Sequence, residues 1–107
     1  MDNLLKIVRQ EVEKYAGSGR GINLRLFPSL DDEHQIYAVI AVDYPNRQHI
    51  AGVVVLARIV GDKVVIEEDT TNKKLADALI QNGIARENII LAYDGELLDE
   101  EVILSPL

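Results

Sequence analysis

The sequence predicts a two-layer α+β domain: an antiparallel sheet of about five strands, an N-terminal helix and a second helix after the fourth strand. Three observations predict it. Residues 2–16 carry an apolar stripe at helical spacing, and four strand-like runs separated by turn residues follow. Beyond them, Lys63 to Gly95 reads as strand, capped helix, glycine stop, connector and second strand. With 107 residues, 48% of them apolar and only three prolines, the chain forms one domain over residues 1–107 and buries a core without staples.

In the first helix Leu4, Leu5, Val8, Val12, Tyr15 and Ala16 recur every three or four residues, with Lys6, Arg9, Glu13 and Lys14 on the other face. Asp2 or Asn3 caps its start, and Gly17-Ser18-Gly19 ends it. Ile22 to Phe27 alternates as a strand closed by Pro28, and Ser29 to His34 is a polar turn. Gln35 to Tyr44 is rich in β-formers, with a turn at Pro45-Asn46-Arg47.

His49 to Val60 is the most apolar stretch. It is expected to be a central strand covered on both faces or lying at a subunit contact. Gly61-Asp62 has hairpin chemistry, and Lys63 to Asp69 is the partner strand. Thr71 or Asn72 caps a helix over about Lys73 to Asn82, with Leu75, Ala76, Leu79 and Ile80 as its buried stripe and Gly83 as a left-handed stop. Ile89 to Tyr93 is the last strand, and the tail ELLDEEVILSPL alternates acidic and apolar residues.

Composition excludes several functions. Eighteen carboxylates against 11 Lys and Arg give a net charge of −7, a field that repels a phosphate backbone and disfavours autonomous nucleic-acid binding. There is no cysteine, hence no disulfide, thiolate catalysis or Cys-based zinc site. The charged N-terminus is no signal peptide. The longest apolar run, Ile50 to Ala57, falls far short of the ~20 residues of a membrane helix, so a cytoplasmic protein is expected.

No catalytic constellation emerges. His34 and His49 lack metal-ligand spacing, and Asp31-Asp32-Glu33 and Glu67-Glu68-Asp69 read as solvated acidic turns. Asp69, just before a helix, suits a capping role. Lys73 and Lys74 are an anomaly, because positive charge in a first helical turn costs roughly 0.3–1 kcal/mol each. They either pair with Glu67, Glu68 or Asp69, or receive an anion or acidic partner. In the tail, Leu97, Leu98 and Val102 either pack over the sheet edge or bind a partner, with Asp99, Glu100 and Glu101 steering toward a basic surface. No cofactor site is expected.

The segment KVVIEEDTTNKKLADALIQNGIARENIILAY resembles the hallmark of the XisI family, controlling factors for excision of the fdxN element in cyanobacteria. The resemblance rests on Gly61, Asp62, Lys63, Asp69, Thr71, Ala76, Leu79, Gly83, Ile84, Arg86 and the Ile89-Ile90-Leu91-Ala92-Tyr93 strand. Ala85 stands where that family has a proline, and Thr70-Thr71-Asn72 where Gly-Thr-Glu is common. The resemblance implies an accessory protein rather than a catalyst, working with an XisH-like protein of nuclease fold and with a separate recombinase. Two other classes stay open. One is a DNA-binding control factor using Arg20, Arg25, Arg47 and Arg58; the other is a small-molecule domain with a polar cavity near His34, His49 or Thr71. The apolar strand at Ile50 to Ala57 leaves a homodimer and a monomer both open.

Overall fold

The computed structural model describes residues 2–17 and 23–98. Helix α1 (Asp2–Gly17) is followed by strands β1 (Leu24–Asp31), β2 (Ile36–Asp43), β3 (Gly52–Val60) and β4 (Lys63–Asp69). Helix α2 (Leu75–Gln81), a 3-10 turn (Arg86–Asn88), strand β5 (Ile89–Leu91) and a second 3-10 turn (Ala92–Asp94) complete it. The five strands lie in chain order in one sheet.

The first four strands are an antiparallel meander. β5, however, runs parallel to β4, with Val64 opposite Ile89 and Ile66 opposite Leu91. The expectation of a wholly antiparallel sheet is corrected there. Helix α2 carries the chain back to the end where β4 began, and a strand entered from that end must be parallel.

Both helices cover one face. The core joins Val8 and Val12 of α1 with Tyr37, Val39, Val55, Ala57, Val64 and Ile66 of the sheet, Leu75 and Leu79 of α2, and Ile89. These strand positions alternate, as period-two geometry requires. β3 is buried at every second residue from Val55 to Ile59 and only partly covered between, so it is not enclosed on both faces.

Several boundaries differ from the sequence expectation for local reasons. β1 runs through Pro28 to Asp31 rather than stopping at it. It is an edge strand, where a missing N–H costs no ladder bond on the open side. β3 begins at Gly52, not His49, because the Asp43 carboxylate accepts the N–H groups of Gln48 and His49 at 3.0 and 2.7 Å and holds that stretch in a turn. Ile50 is left 96% exposed there. α2 begins at Leu75, two residues after the expected start.

Two bulges shape the far end of the sheet. Val39 faces Val55 and Ile40 faces Val53, which makes Val54 the extra residue in β3. Leu56 faces Glu68 and Ala57 faces Ile66, so Glu67 is extra in β4. The second bulge sets up the site.

Candidate functional site

Strict alternation from the buried Ile66 would aim Glu68 at the helices and Asp69 at solvent. The bulge at Glu67 reverses that parity, because an extra residue re-aims every side chain beyond it. Asp69 therefore sits opposite Val55, on the helix-bearing face, and is only 4% exposed. Glu68 is exposed.

A buried carboxylate requires donors. Asp69 Oδ2 accepts the backbone N–H of Leu75, the first residue of α2, at 2.8 Å. Its Oδ1 accepts the Thr71 N–H at 2.9 Å and lies 2.6 Å from the Thr71 hydroxyl. The α2 cap is thus Asp69, reaching across the loop; Thr71 and Asn72 do not cap the helix directly. The negative charge at a helix start is also favourable.

The loop is tied down on three sides. Thr70 donates its N–H and its hydroxyl to the carbonyl of the bulged Val54, at 2.9 and 3.0 Å. Tyr15, near the end of α1, donates its hydroxyl to the Lys73 carbonyl, which the Thr71 hydroxyl also approaches at 2.9 Å. Lys74 Nζ donates to the Asp69 carbonyl at 3.1 Å and stands 5.9 Å from the centre of the Tyr93 ring. Burial pushes the Tyr15 hydroxyl above its ordinary pKa, against a hydrogen bond with Thr71 that lowers it; burial likewise raises Tyr93.

The motif positions Asp69, Thr71 and Tyr93 therefore converge on one knot, with Lys74 among them. Ala76 is buried beneath α2. Gly83 adopts φ +95° and ends that helix, with its N–H on the Ile80 carbonyl at 3.0 Å and the Ile84 N–H on Leu79 at 3.1 Å. Arg86 donates to the Ile89 carbonyl and to Glu96, and Glu96 accepts the Leu91 N–H at 2.8 Å. The Leu91 N–H, seconded by Arg86, holds Glu96 below the usual carboxylate range.

The knot borders two grooves. One, of about 580 Å³, runs from Tyr15 over Leu24, Leu26, Ala41 and Val54 to the Thr70–Lys73 loop. The other, of about 540 Å³, lies between α1 and α2 beside Lys14, Lys73 and Lys74. Lys14 is paired with Glu11 at 2.8 Å. Lys73 and Lys74 do not reach Glu67 or Glu68, which lie on another face; Lys74 is drawn instead to a backbone oxygen, and Lys73 is exposed at the groove rim. The hydroxyls of Thr71 and Tyr15 beside the first groove are engaged in holding the loop.

Other sequence candidates are dispersed. His34 pairs with Asp31 at 2.8 Å and His49 with Asp43 at 2.9 Å. Asp31 lies opposite Ile36 and Asp43 opposite Leu24, so the histidines sit at opposite ends of the β1–β2 ladder. Among the described residues no group of three His, Asp or Glu comes together.

The arginines do not form a patch. Arg25 lies opposite Val42 and Arg58 opposite Ile36, positions six residues apart on β2 and hence about 20 Å at ~3.4 Å per residue. Arg25 stacks 4.0 Å from the Tyr44 ring centre, Arg58 is paired with Glu67 at 2.7 Å, and Arg47 is in an exposed loop. Arg20 lies outside the described residues. Of the tail, Leu97 is 71% exposed and Leu98 is 5% exposed, while Asp99, Glu100, Glu101 and Val102 lie outside the described residues.

What the sequence reading missed is the second face of the sheet. No helix covers it, yet Phe27, Ile40 and Val53 stand opposite one another there, in a row across β1, β2 and β3. Phe27 is 46% exposed and Val53 38%, and Ile36, on the same face, is 41% exposed. The signal was present: Ile36–Asp43 is apolar at both parities, whereas a strand with one solvated face alternates. No described helix is long and apolar enough to cross a membrane.

Comparison with known proteins gives a consistent picture. Among solved structures, one described as a XisI-like protein from Anabaena variabilis ATCC 29413 is similar, with a TM-score of 0.72 and 23% identity, over 91% of this chain and 87% of that one. A second, described as the fdxN element excision controlling factor XisI from the same strain, has a TM-score of 0.71 and 19% identity, over 86% of this chain and 90% of that one. These establish a shared fold. No curated protein matches the chain. The family model described as XisI protein matches residues 1–100, and the chain belongs to the XisI family.

Proposed function

We propose that this chain is a non-catalytic accessory protein of the excision-controlling type, acting through a protein partner docked on the helix-free face of the sheet. The Phe27–Ile40–Val53 row carries this reading, since an apolar row open to water is a surface suited to a partner. Its flanks are polar, with Arg25 and Ser29 on β1 and Arg58 and Glu67 beyond, as at the rim of an interface. Family membership supplies the candidate partners: an XisH-like protein of nuclease fold, or a recombinase complex engaged in DNA element excision. The engagement of Asp69, Thr71 and Tyr15 in holding the α2 loop supports a structural role for the family motif.

Co-purification of the neighbouring XisH-like protein with the wild-type chain and with Phe27→Asp and Val53→Asp tests the proposal. Both residues are already part-exposed, so the variants are expected to fold and to lose the partner at least tenfold. Equal retention by all three would overturn the assignment of the face. Separate elution of the wild-type pair at micromolar concentration would overturn the partner.

A further inference from the structure

The helix-free face is not uniformly bare. Ala38 and Val65 belong to it by register, since Ala38 lies opposite Ser29 and Leu56, and Val65 opposite Arg58 and Ile90. They are nonetheless 6% and 1% exposed and stand outside the helix-side core. Leu98, where the described chain stops, is also buried outside that core. Just upstream, Glu96 is clipped to Leu91, the neighbour of Ile90, through its own N–H and through its side chain.

Residues 99–107, DEEVILSPL, follow Leu98 directly. Three carboxylates lead, and Val102, Ile103 and Leu104 come next. From β4 to β1 is three strand spacings, about 14 Å. Extended chain covers that in roughly five residues, so Leu104 can reach the far strand. Positive charge from Arg58 lies at the near end of this path and from Arg25 toward the far edge.

We propose that residues 99–107 are a strap for the helix-free face, with Asp99, Glu100 and Glu101 set against Arg58 and the Val102-Ile103-Leu104 run covering the Phe27–Ile40–Val53 row. The strap occupies the surface assigned above to the partner, and so regulates access to it. This role rests on that assignment; the docking itself does not.

The chain has no cysteine, so a single nitroxide can be placed on Ser105→Cys. In the isolated full-length protein at low concentration, the label is expected to broaden the NMR signals of Phe27, Ile40 and Val53 and leave Ala76 and Leu79, on the opposite layer, sharp. Adding Ile103→Asp is expected to abolish the broadening without unfolding the domain. Uniformly sharp signals would overturn the strap. So would broadening seen only when labelled chains are mixed with unlabelled isotope-enriched ones, because the occupant would then be a second copy. No partner is present in the measurement, so a failed partner reading leaves its result intact.

Discussion

Replacing Asp69 by alanine removes the acceptor for the Leu75 N–H, the Thr71 N–H and the Thr71 hydroxyl together. A solvent-exposed N-cap is worth about 0.5–2 kcal/mol. Here Asp69 is 4% exposed and Leu75 is fully buried, so water cannot easily replace the lost acceptor. Hydrogen bonds to a charged group contribute about 1.5–3 kcal/mol each, but three on one side chain do not add. Relief from burying a charge offsets part of the sum. We expect a net loss of about 3 kcal/mol, which at ~4–8 °C per kcal/mol lowers Tm by about 12–24 °C in a domain of this size. Asp69→Asn keeps one acceptor oxygen but turns an NH₂ toward a donor, and should lose about half as much. Urea unfolding followed by circular dichroism measures both, with an unchanged m-value showing that the denatured state is unaltered. A loss below about 1 kcal/mol for Asp69→Ala would refute the reasoning, since it would mean that the loop caps α2 without the carboxylate.

Gly83→Ala tests the helix stop: the added Cβ meets no atom within 4 Å, so the whole cost, about 1–2 kcal/mol in urea unfolding, should come from the φ of +95°. At high pH, burial and the hydrogen bond to Asp32 push Tyr37 up to about 12. Its proton is held more tightly in the fold, so its contribution is complete below the ordinary pKa near 10 and is lost as pH rises from there toward 12. Tyr37→Phe should shift the midpoint of alkaline unfolding upward, as monitored by circular dichroism. At low pH the sign is opposite. The His34 N–H lowers Asp31, the His49 side chain lowers Asp43 and the Leu91 N–H lowers Glu96, so stability present above the usual carboxylate range should fall as these groups are protonated.

Much of the fold was legible because it follows from local patterning. The α1 stripe, the Gly61-Asp62 turn, the Gly83 stop and the order of the elements are all local signals, and all correspond to observed elements. Boundaries failed where a distant group intervened, as where the Asp43 carboxylate turns Gln48 and His49 out of β3. Tyr15 reads as one more apolar position on α1; that its hydroxyl closes a loop 58 residues away is invisible to periodicity.

The sequence by itself determined that residues Lys63 to Gly95 form a strand, a helix, a glycine stop and a strand, and that this unit carries the family pattern. Only the tertiary structure decided what Asp69 does. Its neighbours Glu67 and Glu68 are equally acidic, and no local preference separates the three. Register across β3 places the extra residue at Glu67, which turns Glu68 to solvent and Asp69 toward α2. The choice lies in the pairing of two strands, and pairing is a property of the folded sheet rather than of any one segment.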